Sequence, residues 1–261
     1  MLLTIDVGNT ETKLGCFENG DDVLTHTWRV TTELRRTADE YGVFFTQLFA
    51  TEGVDVRAID AIAVASVVPK LDSVLESACG RFFGVVPEFL KAHEQTLIPM
   101  RTEYPPQSGA DLVAAAIGGR ARFGAPLIVV SFGTATAFIA ISADGEYLGV
   151  SIAPGIAISI DALVGRTAKL PQVALETPQR AIGRNTNEAL QSGIVYGFVG
   201  QTEAIVSRMR DELGTAARVV ATGGLAEIVA KQTSVVSAVE PHLSLLGLKL
   251  FWDARSRSGN L

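Results

Sequence analysis

Asp6 closes an apolar run, Leu2-Leu3-Thr4-Ile5, and is followed by Val7-Gly8-Asn9-Thr10, with Lys13 a short step further on. A carboxylate at a strand end, beside a glycine-containing turn, suits a metal–phosphate complex. Backbone N–H groups of such a turn can line an anion nest while the carboxylate orients Mg²⁺, directly or through water. Lys13 could then reach a polyphosphate. A plain hairpin turn explains the same residues, because Gly and Asn are favoured there on conformational grounds alone. Two further loops, Gly133-Thr134-Ala135-Thr136 and Thr222-Gly223-Gly224, move the balance toward nucleotide binding. Two hydroxyl-and-glycine hairpins make a phosphate clamp, and a bare glycine turn lets a nucleoside lie against backbone.

A fourth group is Ser108-Gly109-Ala110-Asp111. With Ser108 as a helix cap, Asp111 falls in the first turn, where the helix dipole favours its ionised form. Such a carboxylate could orient an alcohol and accept its proton during attack on phosphorus. That reaction asks little base strength, since its transition state is loose and positioning dominates. The competing reading is an ordinary acidic residue near a helix start, worth a few tenths of a kcal/mol to the helix.

These loops need a frame, and an internal repeat supplies one. Ile5 to Thr12 resembles Val130 to Ala137 at a constant offset of 125, and the Asn19-Gly20 and Asp144-Gly145 turns keep the same offset. Each copy reads as strand, Gly/Thr loop, strand, Asx-Gly turn and third strand (Val23 to Trp28; Tyr147 to Val150). Helices alternate with the later strands, which gives an α/β class. Thr37-Ala38-Asp39-Glu40 is a capping box ahead of an apolar face with Tyr41, Phe44, Phe45 and Leu48. Ile59 to Ser66 and Val86 to Leu90 read as strands, and Pro69 starts a helix. A long helix follows Asn185 and runs to about Leu213; its Gly193, Gly197 and Gly200 face either core or a subunit interface. Val219 to Ala221 is a last short strand, and Ser256 to Leu261 reads as a frayed end. The domains are predicted as residues 1–117 and 118–261, the second carrying the dimer-forming helices.

Composition narrows the partners. Of 261 residues, 48% are hydrophobic and 19% charged, as in a folded protein, and the net charge of −6 disfavours nucleic acid or anionic membrane. No apolar run approaches the ~20 residues of a membrane span. The opening residues lack a secretory pattern, so a cytoplasmic protein is expected. Cys16 and Cys79 fit no metal or redox spacing and read as buried thiols; His26, His93 and His242 are scattered, which argues against a zinc site.

Together the motifs resemble the type III pantothenate kinases, of the acetate/sugar kinase, Hsp70 and actin superfamily. The resemblance runs from Asp6-Val7-Gly8-Asn9-Thr10 to His242-Leu243-Ser244-Leu245-Leu246-Gly247-Leu248. Between them lie Gly109-Ala110-Asp111, Phe132-Gly133-Thr134-Ala135-Thr136, Ile152-Ala153-Pro154-Gly155, Arg166 to Pro171, Gly183-Arg184-Asn185-Thr186 and Ala221-Thr222-Gly223-Gly224. It implies two tandem RNase-H-like, actin-like ATPase domains with mixed sheets flanked by helices, and a homodimer. It also implies ATP-dependent phosphorylation of pantothenate to 4′-phosphopantothenate, the first step of coenzyme A synthesis. Asp6, Gly8, Asn9, Thr10, Lys13, Thr134, Gly223 and Gly224 would then contact ATP, with Asp6 holding Mg²⁺ through water. Asp111 would be the proton acceptor. Gly109, Ala110, Asp111 and Leu112 would line the pantothenate pocket, reached by Thr186 from the partner subunit.

The chain departs from the family pattern in three places. Ser131 stands where the family has the Asp that helps bind K⁺ or NH₄⁺, and a neutral hydroxyl is a poor replacement for a carboxylate. Leu112 stands where the family has an Arg suited to the pantothenate carboxylate. Losing a charge-assisted bond of about 1.5–3 kcal/mol weakens binding roughly ten- to a hundredfold unless Arg101, Arg166 or Arg184 substitutes. Ala137 and Ile139 replace the usual Thr and Asp. These changes leave an alternative: a catalytically impaired paralogue with a binding or regulatory role.

Overall fold

The structure, a computed structural model, describes residues 1–18, 20–167 and 170–257. In chain order its elements begin with β1 (Leu2–Val7), β2 (Glu11–Phe17), β3 (Leu24–Thr31), α1 (Ala38–Thr51), β4 (Ala61–Ser66), α2 (Pro69–Phe82), β5 (Glu88–Phe89) and α3 (Ala110–Phe123). They continue with β6 (Leu127–Phe132), β7 (Ala135–Ile141), β8 (Tyr147–Pro154), α4 (Ile156–Gly165), α5 (Thr186–Leu213), β9 (Arg218–Thr222), α6 (Ala226–Ala230), β10 (Ala238–Val239) and α7 (Leu243–Arg257).

The strands form two five-stranded sheets of identical topology, β3-β2-β1-β4-β5 and β8-β7-β6-β9-β10. In each, the first strand pairs antiparallel with the second and parallel with the fourth. The repeat seen in the sequence is thus a repeat of topology, and the fold is the tandem RNase-H-like arrangement of actin-like ATPases. The Asp144-Gly145 turn closes as expected, Gly145 N donating to Ser142 O at 2.9 Å with a left-handed φ of +77°. Its counterpart Asn19 lies outside the described residues, as do Ala168, Lys169 and residues 258–261 of the expected frayed end.

The chain divides into two compact units. The first comprises Met1–Ile98, Glu103–Gly118 and the stretch from Leu243 onward; the second comprises Pro99–Thr102 and Gly119–His242. Helix α7 (Leu243–Arg257) thus falls in the first unit with the N-terminal sheet. Helix α7 packs on β1, β2 and β4. Gly247 lies against the Ala114 backbone and Gly118 against that of Leu243, so close that no Cβ fits at either glycine. The short segment at Pro99–Thr102 joins the second unit because Tyr147 N donates to Pro99 O and Arg101 N to Tyr147 O, both at 2.9 Å.

Local signals behave as their chemistry dictates. Thr37 and Glu40 cap α1 reciprocally, and Tyr41, Phe45 and Phe49 on its inner face are buried against β1 residues and α2. Pro69 is at the first turn of α2, and Asn185 caps α5, its side chain accepting from Glu188 N at 2.9 Å. The predicted strand over Val86 to Leu90 is shorter, reduced to the two residues of β5. Cys16 and Cys79 are buried free thiols pushed up to about 12 by desolvation, which leaves them inert at neutral pH. Among the described residues no helix is long and apolar enough to cross a membrane.

Candidate active site

The first unit builds its site at the β1–β2 turn. Asp6 is 5% exposed and lies opposite Lys13 in the antiparallel register, which brings Lys13 Nζ to 3.4 Å from Asp6 Oδ2. Ser244, at the start of α7, donates its hydroxyl to the same Oδ2 at 2.6 Å. The turn itself is tight. Gly8 N donates to Glu11 O at 3.0 Å, and a Cβ at Gly8 would stand 2.9 Å from that oxygen. This N–H is therefore used inside the turn, and the exposed tip is Asn9-Thr10. Thr32, at the end of β3, braces the turn: its N donates to Thr10 O at 3.0 Å, its Oγ1 donates to Gly8 O at 2.7 Å and lies 2.9 Å from Thr12 Oγ1.

Asp111 belongs to the same unit. Val113 N donates to Gly109 O at 3.0 Å and α3 begins at Ala110, so Gly109, rather than the expected Ser108, precedes the first helical residue. A Cβ on Gly109 would lie 2.6 Å from Asp111 Oδ1, so a larger residue there would shift that carboxylate. That oxygen accepts from Leu112 N at 2.8 Å. The dipole argument predicts a readily ionised acid, yet the Asp111 pKa is raised to about 6. Burial is the main cause and the negative charge of Asp6 the second; the Leu112 N–H and Lys13 oppose them only in part. Asp6, Lys13 and Asp111 thus share one electrostatic environment.

In the second unit the corresponding turn is Gly133-Thr134, where Gly133 N donates to Ala135 O at 3.0 Å. Gly133, Thr134 and Ala135 are exposed. Behind them Gly155, the residue capping α4, approaches so closely that a Cβ there would be 2.5 Å from Gly133 O. Gly223 takes φ +97° and packs against the Phe132 backbone, a conformation and a contact that both demand glycine; Gly224 is exposed beside it. Ser244 and Thr32 brace the site of the first unit, and Gly155 braces the turn of the second. Ser244 and Gly155 lie in motifs of the family pattern, but their partners lie far off in sequence.

The sequence profile of the type III pantothenate kinase family matches residues 2–208. The chain belongs to the type III pantothenate kinase family. A type III pantothenate kinase from Roseiflexus sp. (strain RS-1) is 47% identical over 253 residues, covering 97% of this chain and 98% of that protein. One from Anaeromyxobacter sp. (strain Fw109-5) is 50% identical, covering 97% and 99%. Among solved structures, a Campylobacter jejuni protein assigned to the Baf family of transcriptional activators superposes with TM-score 0.61 at 20% identity, covering 99% and 100% of the two chains. The activator of 2-hydroxyisocaproyl-CoA dehydratase from Clostridium difficile, with bound ADPNP, gives 0.54 at 11% identity over 100% and 97%. These two share the fold.

Type III pantothenate kinases use ATP with a divalent metal, and the first unit suits that pair. Among the described residues no cluster of three or more His, Cys, Asp or Glu could hold a metal. Asp6 instead offers a single buried carboxylate, fit to hold one water of an ion already carried by phosphates. The ladder neighbours of Ser131 are Ala137 on β7 and Thr222 on β9, both neutral. Ala137 and Ile139 are buried in this sheet, 3% and 0% exposed, which accounts for their apolar character. Of the arginines that could stand in for Leu112, Arg101 is engaged by Glu146 at 2.5 and 2.9 Å. Arg166 and Arg184 are exposed, as is Thr186 at the first turn of α5.

Proposed function

We propose that this chain transfers the γ-phosphoryl group of ATP to the hydroxyl of pantothenate, giving 4′-phosphopantothenate and ADP and so starting coenzyme A synthesis. The observation that carries the reading is Asp111: a carboxylate of raised basicity, in the field of Asp6 and Lys13, at the start of a helix entered by a glycine that leaves the carboxylate room. The substrate hydroxyl gives its proton to Asp111 as its oxygen bonds to phosphorus, and the bond from phosphorus to the ADP oxygen breaks. Asp111 is mostly ionised at pH 7, as an acceptor must be. Lys13 and the Asn9-Thr10 tip bind the polyphosphate, and Asp6 orients the hydrated metal, which when present neutralises charge on the phosphates. Thr134, Gly223 and Gly224 line the nucleotide side of the second unit. Gly109, Ala110 and Leu112 contact pantothenate.

The working unit in this proposal is a cytoplasmic homodimer. What supports it is an open groove of about 330 Å³ between α4 and α5, floored by Gly193 and Gly197 and walled by Leu163, Leu190, Ile194 and Phe198. Among the described residues, nothing beyond their own helical turn lies within 4 Å of where a Cβ would stand on Gly193, Gly197 or Gly200, so no other element of the chain calls for glycine there. In the dimer the partner subunit's Thr186 reaches pantothenate. The neutral surroundings of Ser131 support turnover that does not require K⁺ or NH₄⁺.

The test is phosphorylation of pantothenate by purified protein, with and without K⁺, beside Asp111→Asn. ATP-dependent turnover that vanishes in Asp111→Asn is the expected result. Absence of turnover with nucleotide binding intact would favour the impaired paralogue, to which Ser131 and Leu112 point.

A further inference from the structure

We infer that Ser244 is a positioning residue for the nucleotide site, setting the orientation of Asp6 from the C-terminal helix. The inference rests on the reading of Asp6 as the carboxylate that faces the metal–nucleotide complex. Ser244 is 5% exposed and Asp6 equally so, and their hydrogen bond, at 2.6 Å, is short enough for a hydroxyl donating to an anion. A bond between residues 238 apart is not a by-product of local chain geometry.

The geometry gives this bond a definite job. Lys13 approaches the same oxygen, Oδ2, from β2 at 3.4 Å, a longer and looser contact than that of Ser244. Both contacts converge on Oδ2, so Oδ1 is the oxygen left to accept from water or a hydrated cation. Rotation about the Cβ–Cγ bond of Asp6 would exchange the two oxygens; the Ser244 hydroxyl opposes that rotation, whereas a flexible lysine can follow it. The place of Ser244 is in turn fixed by backbone. Gly247, one turn further along α7, and Gly118 on α3 let the two helices meet without intervening side chains. Helix α3 also carries Asp111, so one helix contact fixes the register of both Asp111 and the residue that steers Asp6.

The deciding experiment is a double-mutant cycle on binding of a nonhydrolysable ATP analogue with Mg²⁺, measured by calorimetry on the full chain, together with steady-state kinetics. Ser244→Ala is expected to weaken analogue affinity roughly tenfold, the loss of about one charge-assisted hydrogen bond. KM for ATP should rise and kcat fall, with KM for pantothenate within twofold of the parent. Ser244→Thr, which keeps the hydroxyl, should restore affinity and guards against a folding defect in the alanine variant. In an Asp6→Asn background Ser244→Ala should add less than a twofold loss, because the residue acts through Asp6. Equal losses in both backgrounds, unchanged affinity in Ser244→Ala, or a Ser244→Thr variant no better than alanine would each overturn the inference. A parent protein that binds no nucleotide overturns it as well. A parent that binds nucleotide but does not phosphorylate pantothenate overturns the proposed function alone, and the cycle still decides the role of Ser244.

Discussion

The two copies of the repeat share strand order, pairing and a glycine-containing turn, yet they hold that turn by different means. In the first copy polar side chains do it: Thr32 grips the Gly8 carbonyl, and Lys13 and Ser244 converge on the buried carboxylate of Asp6. In the second copy backbone does it: Gly155 presses against the Gly133 and Thr134 carbonyls and Gly223 against Phe132, while Ser131, the counterpart of Asp6, has only neutral ladder neighbours. The difference teaches that a duplicated fold can place its charge in one copy and its close-fitting backbone surfaces in the other. The copy with the carboxylate needs donors to offset burial, whereas the neutral copy can pack tightly without them.

The comparison can be broken most sharply at the charged copy. Asp111→Asn should lower kcat by about a hundred- to ten-thousandfold, the usual contribution of a positioned proton acceptor, with the circular dichroism spectrum unchanged. In the parent, kcat/KM should fall as pH drops below about 6, where Asp111 becomes protonated. The stability effect has the opposite sense. Because the folded pKa lies above the unfolded one, the ionised form is disfavoured in the native state, and this cost is complete above pH 6 and vanishes below about 4. Asp111→Asn should accordingly stabilise the protein at pH 7 by about 1–3 kcal/mol, seen as a higher Tm, and leave it unchanged at pH 4.

At the neutral copy, Gly155→Ala forces backbone to move and should cost about 2–4 kcal/mol by urea unfolding, the range of severe core strain. Thr32→Val in the first copy removes a hydroxyl from a buried pair and should cost a smaller amount, about 1–2 kcal/mol. Gly109→Ala sharpens the link between backbone and chemistry. It should displace the Asp111 carboxylate and reduce kcat about tenfold, while Tm moves by only a few degrees. The smallest effect is expected for Ser131→Asp, which gives the second copy a carboxylate without donors: a loss of stability of about 1 kcal/mol that K⁺ partly reverses, followed by thermal melting with and without the salt.

Much of the architecture was legible because its signals are local. The capping box at Thr37, the proline entering α2, the Asn185 cap of α5 and the strand–turn–strand of each copy all depend on residues within a few positions of one another. The repeat was legible too, since its offset of 125 survives in both the turn and the strands around it. The destination of α7 was not. Its attachment to the first unit depends on Gly118 and Gly247 meeting helix backbone more than a hundred residues away in sequence, and a glycine in a helix says nothing about which helix it will touch. The cap of α3 misled for a related reason: Ser108 has the preferred chemistry, but the residue before the first helical position is Gly109, where a Cβ would press on the Asp111 carboxylate.

For the site, residue type and spacing alone marked Asp6, Lys13 and the three glycine turns as candidates for nucleotide binding and left Asp111 open between a proton acceptor and an ordinary acidic residue near a helix start. Tertiary structure decided their state. Burial and the neighbouring Asp6 raise Asp111 to about 6 against the pull of its helix, and Ser244 comes from the far end of the chain to hold Asp6. Desolvation and long-range hydrogen bonds depend on what packs around a group, and packing is a property of the folded chain rather than of any segment of it.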